Sequence, residues 1–192
     1  MSITDERPLR ADARRNREAI LRAARQIFAK QGSQAQIDDV AKKAKVGVGT
    51  VYRHFPTKEA LFEALARDKF DRLAALADEA MAVDDPWEGL VTFLRKAAAM
   101  QVADRTLSEI FRQHGVFMVD TAQSCGLADA CDRLVQRAQE AGVLRDDVRG
   151  GDLGMITCSL ADLNLVPVWS WERMLAIVLD GLRPAGASEL PD

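Results

Sequence analysis

The chain has 192 residues, 48% of them hydrophobic and 29% charged, with a net charge of −3. That is enough for one large or two small domains with a proper core, and the composition is that of a globular protein. No apolar run approaches the roughly 20 residues that cross a bilayer, and the opening MSITDERPLR has no apolar core, so neither a membrane span nor a secretory signal is expected. Three cysteines, an odd number without metal-ligand spacing, point to a reducing cytoplasm and no disulfide framework. The charge is unevenly placed. Residues 1–58 hold 13 Lys/Arg against 6 Asp/Glu, a net +7, whereas residues 59–192 hold 13 against 23, a net −10. A basic head on an acidic body is the footprint of a nucleic-acid-binding module joined to something else.

In chain order, residues 1–12 are expected to form a flexible basic arm. A first helix is predicted from Ala13 to Gln31, with Ile20, Ala24, Ile27 and Phe28 on one face and Gly32 as its stop. Its other face carries Arg14, Arg15, Arg17, Arg22 and Arg25, placed to rest near phosphates. A second helix has Ile37, Val40, Ala41 and Ala44 in register, Asp38 and Asp39 in its first turn and Lys42 and Lys43 near its end, as the helix dipole favours. A third follows within about three residues, buries Val48, Val51 and Phe55, and stops at Pro56. Thr57 caps a long fourth helix reaching about Ala82, with a stripe of Phe62, Leu65, Phe70, Leu73 and Ala77.

Asp85-Pro86 then opens a run of helices at roughly 86–103, 104–114, 118–141, 150–165 and 169–182, with Gly126 a place where the third can divide. No alternating strand pattern occurs, so the fold is expected to be all-α. The last two helices are apolar nearly all round: Leu153, Met155, Ile156, Leu160, Leu163 and Val166, then Trp171, Met174, Leu175, Ile177, Val178, Leu179 and Leu182. Such a helix is covered on more than one side, and a second subunit is the expected cover. The tail, 184–192, is expected to be disordered.

Residues 37–58, IDDVAKKAKVGVGTVYRHFPTK, are the most informative stretch. They read as a helix, a tight turn and a second short helix that lies in a groove of DNA. Ile37, Val40 and Ala41 pin the first helix, and Gly47 permits the turn. Gly49 and Thr50 let the backbone approach base edges. Thr50, Tyr52 and Arg53 offer contacts to bases or phosphates, while His54 and Lys58 sit where phosphates would pass. Lys45, Gly47 and Val48 belong to the same DNA-facing set, and Gln36 stands where it can reach a phosphate.

Residues 13–65 closely resemble the N-terminal domain of TetR-family transcriptional repressors, on REAIL-AA--IFA--G followed by IDDVA--A-V-VGTVYRHFP-KEALF. The remainder looks like the family's ligand-binding, dimerising helical domain, and the ending WERMLAIVLDGLR is similar to a subgroup whose recognition segment also reads VGVGT. The resemblance implies a three-helix helix-turn-helix domain over 13–58 and a ligand-binding and dimerisation bundle over 59–183. It implies a cytoplasmic homodimer on a palindromic double-stranded operator, released by a small-molecule effector, with Thr50, Tyr52, Arg53, His54 and Lys58 on the DNA. Three departures from the family pattern stand out. Lys45 replaces a frequent turn Gly, Gly47 replaces the usual Ser cap, and Ala35-Gln36 replace a capping Thr or Ser.

Trp87, Phe93, Met100, Phe111, His114, Phe117 and Met118 are candidate walls of an effector pocket, and their aromatic and methionine character suits an apolar or aromatic molecule. Gly47-Val48-Gly49 follows a helix and lacks the third glycine of a dinucleotide loop. No catalytic constellation, metal spacing or cofactor motif stands out, so an enzyme is not expected. Two other readings remain open: a thiol-based redox regulator using Cys125, Cys131 and Cys158, and a helical dimer scaffold without DNA binding.

Overall fold

The computed structural model describes residues 6–103, 120–161, 163, 170–184, 188 and 190–191. The described residues are all-α, with no strand among them. The helices are α1 (Glu6–Gln31), α2 (Ile37–Ala44), α3 (Val48–His54), α4 (Lys58–Met81), α5 (Pro86–Ala103), α6 (Leu127–Glu140), α7 (Gly150–Leu160) and α8 (Trp171–Gly181). A 3-10 turn occupies Gly32–Gln34, and residues 120–124 are helical. The chain divides into two compact units, Met1–Leu65 and Ala66–Asp192, so the boundary falls inside α4 rather than at the expected 58/59.

In the first unit α1 packs on α2 and, more lightly, on α3. Ile20, Leu21, Ala24 and Phe28 of α1 meet a core completed by Val40, Ala41, Val51, Phe55, Leu61, Phe62 and Leu65. Phe28 and Phe62 stand edge to face with centroids 4.8 Å apart. That contact explains why the first two turns of α4 belong to the head. Helix α1 starts at Glu6, seven residues before the expected Ala13. Its charges are not one-sided either, since Asp5, Glu6 and Asp12 offset Arg7 and Arg10. Gly32 ends α1 with φ 58°. Thr57 caps α4, its Oγ1 accepting from the Ala60 N–H at 3.1 Å.

In the second unit α5 packs against α6 and α7, and α6 against α7. Asp85 caps α5, accepting from the Glu88 N–H at 3.0 Å, with Pro86 in the first turn. Gly126, at φ 72°, divides 118–141 and leaves α6 to begin at Leu127. Helix α7 ends at Leu160, short of the expected 165. On α6, Arg137 donates to three carbonyls at and just after the end of α4: Met81 at 3.0 Å, Val83 at 2.6 Å and Asp84 at 2.9 Å. Ion pairs Arg133–Asp78 and Lys96–Glu79, both at 2.9 Å, join the same stretch of α4 to α6 and α5.

Two backbone groups near the end of the chain meet the body. Asp147 accepts from the Leu190 N–H at 3.0 Å, and Arg145 donates to the Ser188 carbonyl. Arg145 and Asp147 form a two-pronged pair at 2.6 and 2.7 Å. The Arg145 bond holds the Asp147 carboxyl far below the usual carboxylate range. A charged pair with acceptors and donors to spare gives the tail backbone partners that its own sequence does not advertise.

Candidate nucleic-acid interface

The turn between α2 and α3 is built at Lys45. Its backbone is left-handed (φ 58°, ψ 40°). The Lys45 N–H reaches the Lys42 carbonyl at 3.2 Å and the Val46 N–H the Ala41 carbonyl at 3.1 Å, the paired bonds of a Schellman ending. Lys45 thus makes the left-handed turn without a glycine. Gly47, expected to permit the turn, has φ −69° and ψ 147°, ordinary extended backbone. It caps α3 without a side-chain bond.

Only Val51 among the residues of α3 is buried, with Phe55 directly after it. Each full burial is worth roughly 1.5–3 kcal/mol, enough to fix one face of a seven-residue helix. The other face looks outward. Tyr52 is 48% exposed, and Gly47, Gly49 and Arg53 are exposed, while Thr50 is half-buried. Val48 is 37% exposed, which corrects the expectation that it is buried and places it with the outward set. A Cβ on Gly49 would meet nothing within 4 Å, so no packing inside the protein calls for glycine there.

Gln36, Tyr52 and Lys58 come together around a hollow of about 410 Å³ that Ile37, Asp38 and Asp39 also line. Gln36 is the residue before α2, and its amide donates to the Gln34 carbonyl at 3.1 Å, so it does not cap the helix. Lys58 is held with its ammonium 5.6 Å from the ring centroids of both Phe28 and Phe62. The α2 N-terminus and Lys58 favour an anion at this hollow, and the two aspartates partly offset them. The structure therefore gathers three of the ten expected DNA-facing residues in one hollow and strings Gly47, Val48, Gly49, Tyr52 and Arg53 along one exposed face.

His54 ends α3 half-buried, and its Nε2 is buried with no hydrogen-bond partner among the described residues. Burial, then the charges of Arg53 and Arg17, push its pKa below the usual histidine value, so the neutral ring is favoured. Arg17 lies 5.3 Å from the Phe55 ring centroid. Of the other α1 arginines, Arg14 and Arg22 pair with Glu18 at 4.0 and 3.9 Å, and Arg15 pairs with Asp12. Exposed pairs of this kind contribute little stability.

Among the expected pocket walls, Trp87 and Phe93 are buried and Met100 is half-buried; Phe111, His114, Phe117 and Met118 lie outside the described residues. The Arg183 guanidinium lies 3.6 Å from the Trp87 ring centroid. Two polar residues of the helical body that periodicity passed over, Lys69 and Gln101, are almost fully buried. The described residues contain no group of three or more His, Cys, Asp or Glu placed to hold a metal ion, and no helix among them is long and apolar enough to cross a membrane.

Residues 20–65 match the family model "Bacterial regulatory proteins, tetR family". Residues 85–184 match "Transcriptional regulator SbtR-like, C-terminal domain". The HTH-type transcriptional repressor Rv1474c of Mycobacterium tuberculosis is 31% identical over 174 residues, covering 85% of this chain and 89% of that protein. A TetR transcription regulatory protein from Mycobacterium vanbaalenii superposes with a TM-score of 0.64 at 35% identity, over 92% of this chain and 99% of that one. The same fold recurs at 18% identity in FadR from Bacillus subtilis in complex with stearoyl-CoA (TM-score 0.70; 89% of this chain, 99% of that one). With two-part matches that run from the outward-facing α3 through the helical body, the chain belongs to the TetR family of transcriptional regulators, which carry a DNA-binding helix-turn-helix.

Proposed function

We propose that the protein is a cytoplasmic, homodimeric repressor that grips a palindromic operator through α3 and leaves it when a small organic effector occupies the helical body. The observation that carries the DNA part is the bare outer face of α3. A glycine with open space over its Cα, flanked by exposed Val48, Tyr52 and Arg53, suits a backbone that presses against base edges. In this reading Gly47, Val48, Gly49, Thr50, Tyr52 and Arg53 face the groove. Gln36, Lys45, His54 and Lys58 face phosphates.

The dimer is supported by exposed apolar side chains on adjacent helices: Met155 at 64% on α7, and Met174 and Ile177, the latter at 57%, on α8. Ligand response is supported by the stearoyl-CoA complex of a protein with this fold. Trp87, Phe93 and Met100, with Phe111, His114, Phe117 and Met118, remain the proposed apolar walls. Three thiols argue against redox control. Burial pushes Cys131 up to about 12 and raises Cys125 and Cys158 as well, which suppresses the reactive thiolate.

The test is duplex binding by fluorescence anisotropy, with the operator selected from random duplexes. Wild-type affinity should fall steeply with salt. Arg53→Ala should cost about 1–3 kcal/mol if it makes a bidentate base contact. No salt-dependent duplex binding at all, or an unaltered affinity in Arg53→Ala together with Tyr52→Ala, refutes the assignment of α3.

A further inference from the structure

The arginines of α1 are not equivalent in the folded head. Arg14 and Arg22 share Glu18, at 4.0 and 3.9 Å, and Arg15 holds Asp12. Arg25 is half-buried and has a contact of its own. Arg17 is exposed and forms no ion pair among the described residues. It shares a helical row with the buried Leu21, Ala24 and Phe28. It therefore continues the apolar row of α1 one turn beyond the core, instead of lying on the opposite face as the sequence suggested. There its guanidinium carbon stands 5.3 Å from the centroid of the Phe55 ring.

That seat adjoins the recognition helix. Phe55 directly follows α3 and is 3% exposed, and the exposed Arg53 lies two residues before it. Arg53 also forms no ion pair among the described residues. The charges of both arginines reach His54, which stands between Arg53 and Phe55 in the chain. Two guanidinium groups from different helices thus stand at one end of α3 with no acid paired to either. Like charges held together favour a negative partner from outside. The aromatic ring restrains the Arg17 side chain through its face and leaves the N–H donors of the guanidinium available.

We propose that Arg17 binds a DNA phosphate at the edge of the groove that α3 enters, as an anchor indifferent to base sequence. Base edges are reached by the helix that enters the groove, whereas a cation on the helix beside it meets the phosphates that line the groove. A guanidinium presents paired N–H groups that match two phosphate oxygens. The two arginines then divide the work. Arg53 on α3 discriminates among sequences, and Arg17 on α1 adds affinity for all of them. This inference rests on the reading of α3 as the DNA-facing helix.

The experiment follows duplex binding by the full-length protein over a salt series, by fluorescence anisotropy, on the selected operator and on a random-sequence duplex. Arg17→Met keeps an apolar stem over Phe55 and removes the charge. It should weaken both duplexes by the same factor, about tenfold or more, and flatten the slope of log K against log salt by about 1 per protomer. Arg17→Lys should restore most of that slope, because a phosphate also accepts from an ammonium. Lys30→Gln removes a charge roughly 20 Å further along α1 at 1.5 Å per residue, beyond the screening length, and should leave the slope as it is. Circular dichroism should stay native in all three. An Arg17→Met slope equal to that of the wild type or of Lys30→Gln overturns the phosphate contact and leaves the reading of α3 standing. So does a loss confined to the operator, or a slope that Arg17→Lys fails to restore, since Arg17 would then act through a base or through its packing on Phe55. A wild-type protein with no salt-dependent binding to either duplex overturns both readings.

Discussion

At the scale of single residues, Lys45 shows how a fold rule survives a broken sequence rule. The left-handed position costs an L-residue on the order of 1 kcal/mol, yet the Lys45 and Val46 amides still close the end of α2. Lys45→Gly removes that cost and returns part of it as unfolded-chain entropy, about 0.4–1 kcal/mol. Thermal unfolding of the DNA-free protein should therefore show a change between none and a gain of about 0.6 kcal/mol, with weaker operator binding if the ammonium meets a phosphate; a clear loss of stability would show that Lys45 makes a contact worth more than its backbone strain. Thr57 and Asp85 were readable as caps because the capping bond spans three residues and needs nothing distant. Lys69 was not. A lysine one turn along from Leu65 reads as the solvent side of a helix, and only the folded structure shows it buried.

At the scale of elements, the approach of α7 to α6 is set by Gly150. A Cβ there would sit 2.8 Å from the Asp132 backbone nitrogen, whereas one on Gly154, a turn later on the same helix, would meet nothing within 4 Å. Gly150→Ala should cost about 1–3 kcal/mol through overpacking. Gly154→Ala should be neutral or stabilising by up to about 1 kcal/mol through helix propensity. Urea unfolding of the two variants side by side is the check, and equal effects would mean that α6 and α7 do not meet closely at Gly150. Element existence was legible wherever punctuation was strong, as at Gly32, Pro56 and Asp85-Pro86. The ends of α1 and α7 were not. Nothing local distinguishes a helix that continues from one that could, so α1 extends back to Glu6 and α7 stops at Leu160.

At the scale of the whole molecule, the apolar side chains left outward on α7 and α8 predict the oligomeric state. Met155→Glu with Ile177→Glu should convert a dimer to a monomer in sedimentation velocity at micromolar concentration, because each charge would be buried unpaired at the interface. A double variant that sediments as the wild type would place the interface elsewhere. The charge asymmetry of the sequence had already separated a basic head from an acidic body; which apolar face is left over needed coordinates, since Leu175 and Met174 are neighbours of similar hydrophobicity and only the first is covered. The three carbonyls gripped by Arg137 carry a mechanical corollary. One guanidinium staples the stretch from Met81 to Asp84 to α6, so losing it would strand three backbone acceptors at once.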